Sequence, residues 1–96
     1  MAECKFWSGA KNHFATIDQV LSYLTWRDSK TAIIYFVNTK EMAAPLKAIE
    51  ESSSQHACFV KLNEKRESSW FDYTFHLPSD PDVMIRLNIL CFHLPH

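Results

Sequence analysis

Two periods of apolar recurrence run along this chain, and the switches between them delimit seven elements. Residues 2–7 (AECKFW) read as a short strand, and a polar loop, SGAKNH, follows with the only glycine, Gly9. Ile17, Val20, Leu21 and Leu24 then fall at i, i+3, i+4 and i+7. That spacing predicts a helix with one core-facing stripe, capped by Thr16 and ending near Trp26–Ser29. Thr31–Val37 (TAIIYFV) has almost no polar atom, which predicts a central strand covered on both faces.

A second helix is expected from Asn38 or Thr39, with Met42, Leu46 and Ile49 on one side. Pro45 interrupts that pattern, so the helix is either irregular there or begins late. Ser52–Ser54 reads as a loop, Ala57–Leu62 as a strand and Asn63–Ser69 as a polar connection. Trp70–Leu77 alternates, with Phe71, Tyr73, Phe75 and Leu77 on one face. Val83–Leu94 alternates again, and the turn cluster Pro78–Asp82 between them makes an antiparallel hairpin. The order is β-α-β-α-β-β-β. It predicts a single α/β domain spanning 1–96, with a small mixed sheet, a parallel first β-α-β unit, two helices covering part of the sheet and the closing hairpin at an edge.

Composition narrows the function classes. Hydrophobic residues are 47% and charged residues 22% of the 96, the profile of an ordinary folded domain. Ten basic side chains face eleven acidic ones, for a net charge of -1, and the two halves differ little, so a strongly basic nucleic-acid binder is not indicated. Cys4, Cys58 and Cys91 are odd in number and widely spaced. They make neither a disulfide framework nor a structural zinc motif, and read as thiols in a reducing cytoplasm. No apolar run reaches the ~18 residues of a membrane span, so a soluble cytoplasmic protein is expected.

Candidate chemistry centres on Glu3-Cys4-Lys5. Alternation along a strand puts Glu3 and Lys5 on one face and Cys4 and Phe6 on the other. Phosphodiester hydrolysis needs a carboxylate on a divalent metal, an ammonium beside the attacking water and a second carboxylate to complete the metal site. An E-x-K strand supplies the first two. Gln19 and Tyr23 lie one turn apart on the next helix and share a face. Ordinary readings exist for all four: Thr16-x-x-Gln19 is also a capping box, Tyr23 a boundary aromatic, and Glu3 and Lys5 plain surface charges.

E-x-K on a strand followed by Q-x-x-x-Y on the next helix resembles the PD-(D/E)XK nuclease superfamily. The wider string ECKFWSGAK…IDQVLSYLTWRDSKTAIIYFVN is similar to the C-terminal domain of bacterial and phage proteins of that restriction-endonuclease-like group. The resemblance covers about residues 2–38. It implies Glu3 as the metal-binding carboxylate, Lys5 as the catalytic lysine, Gln19 and Tyr23 as helper residues near the metal or a nucleic-acid backbone, and Mg²⁺ or Mn²⁺ as cofactor. The family's other acid lies on an earlier strand, whereas only Met1 and Ala2 precede Glu3 here. A C-terminal piece of a nuclease-like domain is therefore expected, either a truncated reading frame on a mobile element or a piece trimmed from a longer protein.

Two function classes follow. One is a non-catalytic binding or oligomerisation module, in which an exposed apolar edge at residues 2–7 drives a homo-oligomer. The other is a metal-dependent nuclease acting on nucleic acid, with a partner chain supplying the second acid. Elsewhere, His76, Cys91 and His93 form a weak metal-ligand candidate. Asp80 and Asp82 read as turn carboxylates. Trp7, Trp26 and Trp70, interleaved with Lys11, Arg27 and Lys30, could stack bases, against which the near-neutral charge argues.

Overall fold

The computed structural model describes residues 2–25 and 30–94. The expected element order is present: β1 (Ala2–Phe6), α1 (Ala10–Tyr23), β2 (Lys30–Val37), α2 (Ala43–Gln55), β3 (Phe59–Glu67), β4 (Trp70–His76) and β5 (Met84–His93). The strands form one mixed sheet in the order β1-β2-β5-β4-β3. β1, β2 and β5 are parallel, with Cys4 opposite Ile34 and Ile34 opposite Leu90. β4 runs antiparallel to both β5 and β3.

Period-two alternation decides what is buried. Ile33, Tyr35 and Val37 on β2, Ile85, Leu87 and Ile89 on β5, and Phe71, Tyr73 and Phe75 on β4 all point to one face. Against that face pack Ile17, Val20 and Leu21 of α1 and Ile49 of α2. Each such side chain stabilises the fold by about 1.5–3 kcal/mol relative to exposure. Among the described residues no helix covers the opposite face: Ala32, Ile34 and Phe36 are only half-buried, and Phe6 and Phe92 are exposed. The sheet is thus covered on one side, and β2 is not the doubly covered strand that its apolar run suggests.

Both ends of α1 differ from the sequence expectation. α1 begins at Ala10, six residues before Thr16, because Gly9 takes φ 108, a conformation that favours glycine, and starts the helix. Thr16 is buried mid-helix with its hydroxyl donating to the Asn12 carbonyl at 2.8 Å, so the capping box with Gln19 does not form. α1 stops at Tyr23, and residues 26–29, where its end was expected, lie outside the described residues. α2 begins late, as one reading of Pro45 allows: Pro45 sits in its first turn, where backbone N–H groups have no intrahelical partner anyway.

Ser52–Ser54 is helix rather than loop. The Ser52 hydroxyl donates to the Ala48 carbonyl at 2.5 Å and Ser54 to Glu51 at 2.9 Å, so the polar atoms are satisfied inside α2. β3 extends through the polar residues to Glu67. It is an outer strand, where charge is compatible with pairing on one side and discourages pairing on the other. The β4–β5 hairpin is not at an edge, since β5 pairs with both β2 and β4. From Phe71 to Phe75 and from Ile85 to Cys91 its residues on the helix-bearing face are buried and hydrophobic, which suits central strands, and the edges fall to β1 and β3.

Candidate functional site

β1 holds Glu3 and Lys5 half-buried on the helix-bearing side, as alternation requires. Lys5 reaches α1: its Nζ donates to Gln19 Oε1 at 3.2 Å, and Gln19 Nε2 donates to Tyr23 Oη at 3.0 Å. Three of the four residues singled out by sequence are therefore joined in one chain of hydrogen bonds along the outer side of the β1–α1 layer. Glu3 shares the strand face but not the pocket beside it. That pocket, of about 170 Å³, is lined by Lys5, Ser8, Asn12, His13, Thr16 and Gln19, among others.

The donor set at this edge does not fit a Mg²⁺ or Mn²⁺ ion. Glu3 offers one carboxylate, and among the described residues no three His, Cys, Asp or Glu side chains gather in a metal-holding group. The His76, Cys91 and His93 candidate also disperses. His76 pairs with Met84 at one end of the sheet and His93 with Val37 at the other, where His93 Nε2 meets the Thr39 carbonyl at 2.5 Å. Cys91 is buried, and burial pushes its thiol up to about 12. Asp80 serves its own turn, accepting from the Asp82 N–H at 3.1 Å.

Three polar clusters were not anticipated. In the first, His13 lies buried between the layers, with Nδ1 2.5 Å from Tyr35 Oη and Nε2 2.8 Å from Ser53 Oγ. Burial, aided by the nearby His56, lowers its pKa to about 4, so the ring is neutral and donates at one nitrogen while accepting at the other. Trp7 closes the cluster edge-on to Tyr35 at 5.3 Å. In the second, His56 Nε2 lies 2.6 Å from Asp18 Oδ1. In the third, on the open face, fully buried Asp72 accepts from Arg86 and Asn63, with Arg66 at 3.8 Å. Burial alone would raise the Asp72 carboxyl; hydrogen bonds from Arg86 and Asn63 and the charges of Arg86 and Arg66 overcome this and hold it below the usual range.

One signal was available for the first cluster. His13 stands four residues before Ile17, in line with the stripe 17, 20, 21 and 24, and belongs to it once the helix starts at Ala10. Of the tryptophans, Trp7 is part of that interior cluster, while Trp70 lies on the open face with Arg66 5.1 Å from its ring and its Nε1 donating to Asn88 at 2.9 Å. Trp26 and Arg27 lie outside the described residues.

The open face completes the candidate surface. Phe6, Phe36 and Phe92 stand side by side across β1, β2 and β5, with ring centroids 6.0 and 6.2 Å apart. Phe6 is 63% and Phe92 50% exposed. Cys4, Ile34 and Leu90 form the next row, so the apolar strip runs to the outer strand. The class defined by these observations is a two-layer α/β domain with a five-stranded mixed sheet, one bare sheet face and a polar chain along its β1 edge. Comparison with protein-family models, with curated proteins and with solved structures finds no match to this chain.

Proposed function

We propose that the chain is a non-catalytic binding module that associates with copies of itself through β1 and the bare sheet face. One observation carries this reading: the aromatic row Phe6–Phe36–Phe92, exposed at Phe6 and Phe92 and half-buried at Phe36, ends on an outer strand. Isolated exposed phenylalanines are commonplace, but a contiguous apolar strip joined to an outer strand marks an interaction surface. The other outer strand is different in kind. β3 is longer, carries Lys61, Glu64, Lys65, Arg66 and Glu67, and has three register shifts, all of which discourage pairing. Sedimentation across a concentration series tests the reading. The expected result is a dimer or higher oligomer that Phe6→Asp weakens; a monomer at all concentrations overturns it.

The metal-dependent nuclease reading is supported by the Lys5–Gln19–Tyr23 chain, which has the E-x-K and Q-x-x-x-Y residues in contact. It needs a second acid from a partner chain beside Glu3. Incubation of supercoiled plasmid and single-stranded DNA with Mg²⁺ or Mn²⁺ tests it, with Glu3→Ala and Lys5→Ala as controls. The module reading expects no cleavage by any of the proteins. Cleavage abolished in both controls would replace it with the nuclease reading.

A further inference from the structure

β1 is complementary to itself. We propose that two copies pair antiparallel through β1, with Cys4 opposite Cys4 of the second copy, so that each Glu3 faces the Lys5 of its partner. The proposal rests on the self-association reading and adds the register.

Backbone geometry sets which registers are open. The Trp7 N–H donates to the Phe36 carbonyl at 3.0 Å, so alternation turns the N–H and C=O groups of Glu3 and Lys5 toward β2. Those of Ala2, Cys4 and Phe6 turn outward. Antiparallel partners exchange bonds only between outward-facing residues, so residues opposite each other must have the same parity. Three registers then give a substantial overlap. Centring on Glu3 sets two carboxylates face to face, and centring on Lys5 sets two ammonium groups face to face. Centring on Cys4 alone places opposite charges together, twice, because the two-fold axis repeats the pair.

Directly opposite charges on neighbouring strands attract, and like charges repel. The sequence A-E-C-K-F therefore favours one register and opposes its neighbours by the same two side chains. In this register Glu3 and Lys5 form a non-hydrogen-bonded pair, the closer of the two kinds of pair in an antiparallel ladder. Ala2 meets Phe6 on the bare face, a small residue beside a large one. The two-fold axis stands perpendicular to the sheet, so both bare faces lie on the same side and both α1 helices on the other. Gln19 and the 55% exposed Tyr23, which extend the Lys5 chain, then border the new contact.

Charge reversal with rescue tests the register by sedimentation equilibrium, with circular dichroism to check folding. Glu3→Lys and Lys5→Glu are each expected to weaken association about ten- to a hundredfold, since each turns two attractions into two repulsions. The double variant Glu3→Lys/Lys5→Glu restores opposite charges across the axis and is expected to recover association to within a few fold. A merely structural role for the Lys5–Gln19 bond would not be rescued this way. A short thiol-to-thiol crosslinker supplies a second readout: Cys4 is exposed while Cys58 and Cys91 are buried, so a crosslinked dimer forms through Cys4 and disappears in Cys4→Ser. An oligomer indifferent to both reversals and not crosslinked through Cys4 overturns the register but leaves the self-association reading standing. A monomeric wild-type chain overturns both.

Discussion

His56 is held to Asp18 by a 2.6 Å contact that ties the end of α2 to the middle of α1. The His56 Nδ1 accepts the Cys58 backbone N–H at 3.0 Å, so the imidazole proton is on Nε2 and is donated to the carboxylate. The ring itself is buried, stacked on Phe14 at 5.8 Å and tilted against Phe75 at 5.6 Å. Packing and polar terms can therefore be separated. Asp18 is mostly exposed, so Asp18→Ala is expected to cost only about 0.5–1 kcal/mol, and Asp18→Asn less because its carbonyl still accepts. His56→Ala leaves a cavity and an unpaired Cys58 N–H, costing about 2–4 kcal/mol. Urea denaturation of the three variants checks the order.

The buried His13 makes stability depend on pH in a defined window. Its pKa is about 4 in the fold against 6.5 when free, so between those values the unfolded chain binds the extra proton. Stability is then complete above about pH 6.5 and falls as the pH is lowered toward 4, by about 3 kcal/mol in all. Asp72 acts below that window. Its carboxyl is held low, so its contribution persists at pH values above the unfolded carboxylate range and is lost as the pH falls through its folded value. Denaturation midpoints measured from pH 8 to 3 should show the first limb in the wild type. In His13→Gln that limb should be flattened.

Much of the architecture was legible because period and burial coincide: Phe71, Tyr73 and Phe75 on β4 and Ile85, Leu87 and Ile89 on β5 alternate in sequence and are all buried. What the sequence obscured depends on tertiary context. β3 looks like a loop past Leu62 because an outer strand need not be apolar. Ser52 and Ser53 look like a loop because serine competes with helical hydrogen bonds, a conflict resolved here by Ser52 bonding back to Ala48 and Ser53 bonding His13. At the candidate site, strand and helix periodicities put Lys5, Gln19 and Tyr23 within reach of one another, and they do meet. Asp72 and Arg86 could not be paired from sequence, since their proximity depends on the β4–β5 register, which sets Asp72 opposite Asn88 and one step from Arg86.

That register makes Asp72 an anchor for two half-exposed guanidinium groups. Asp72→Asn keeps the shape and an acceptor but removes the charge, while Asp72→Ala removes both and leaves the Asn63 amide without its acceptor. Asp72→Ala is expected to be the more destabilising of the two. Adding 1 M salt should narrow the gap between wild type and Asp72→Asn only slightly, because the carboxylate is shielded from solvent. Thermal melts at low and high salt measure both effects.

Two tyrosines on the same face should respond oppositely to loss of the hydroxyl. Tyr35 Oη is bonded to His13 Nδ1, so Tyr35→Phe strands a buried ring nitrogen and is expected to cost about 1–3 kcal/mol. Tyr73 Oη is equally buried but has no hydrogen-bond partner among the described residues, although the Ser53 hydroxyl lies near enough to oppose the rise in its pKa. Burial still pushes that phenol up to about 12, which reflects a polar group deprived of water. Tyr73→Phe removes the unpaired group and keeps the ring contacts with Phe71 and Phe75, 5.9 and 6.0 Å away. The expected result is unchanged stability or a gain of up to about 1 kcal/mol, since an unmade buried hydrogen bond costs more than an absent one. Denaturant titrations of the two variants beside wild type decide it. A loss in Tyr73→Phe matching that in Tyr35→Phe would mean that the Tyr73 hydroxyl is hydrogen-bonded in solution.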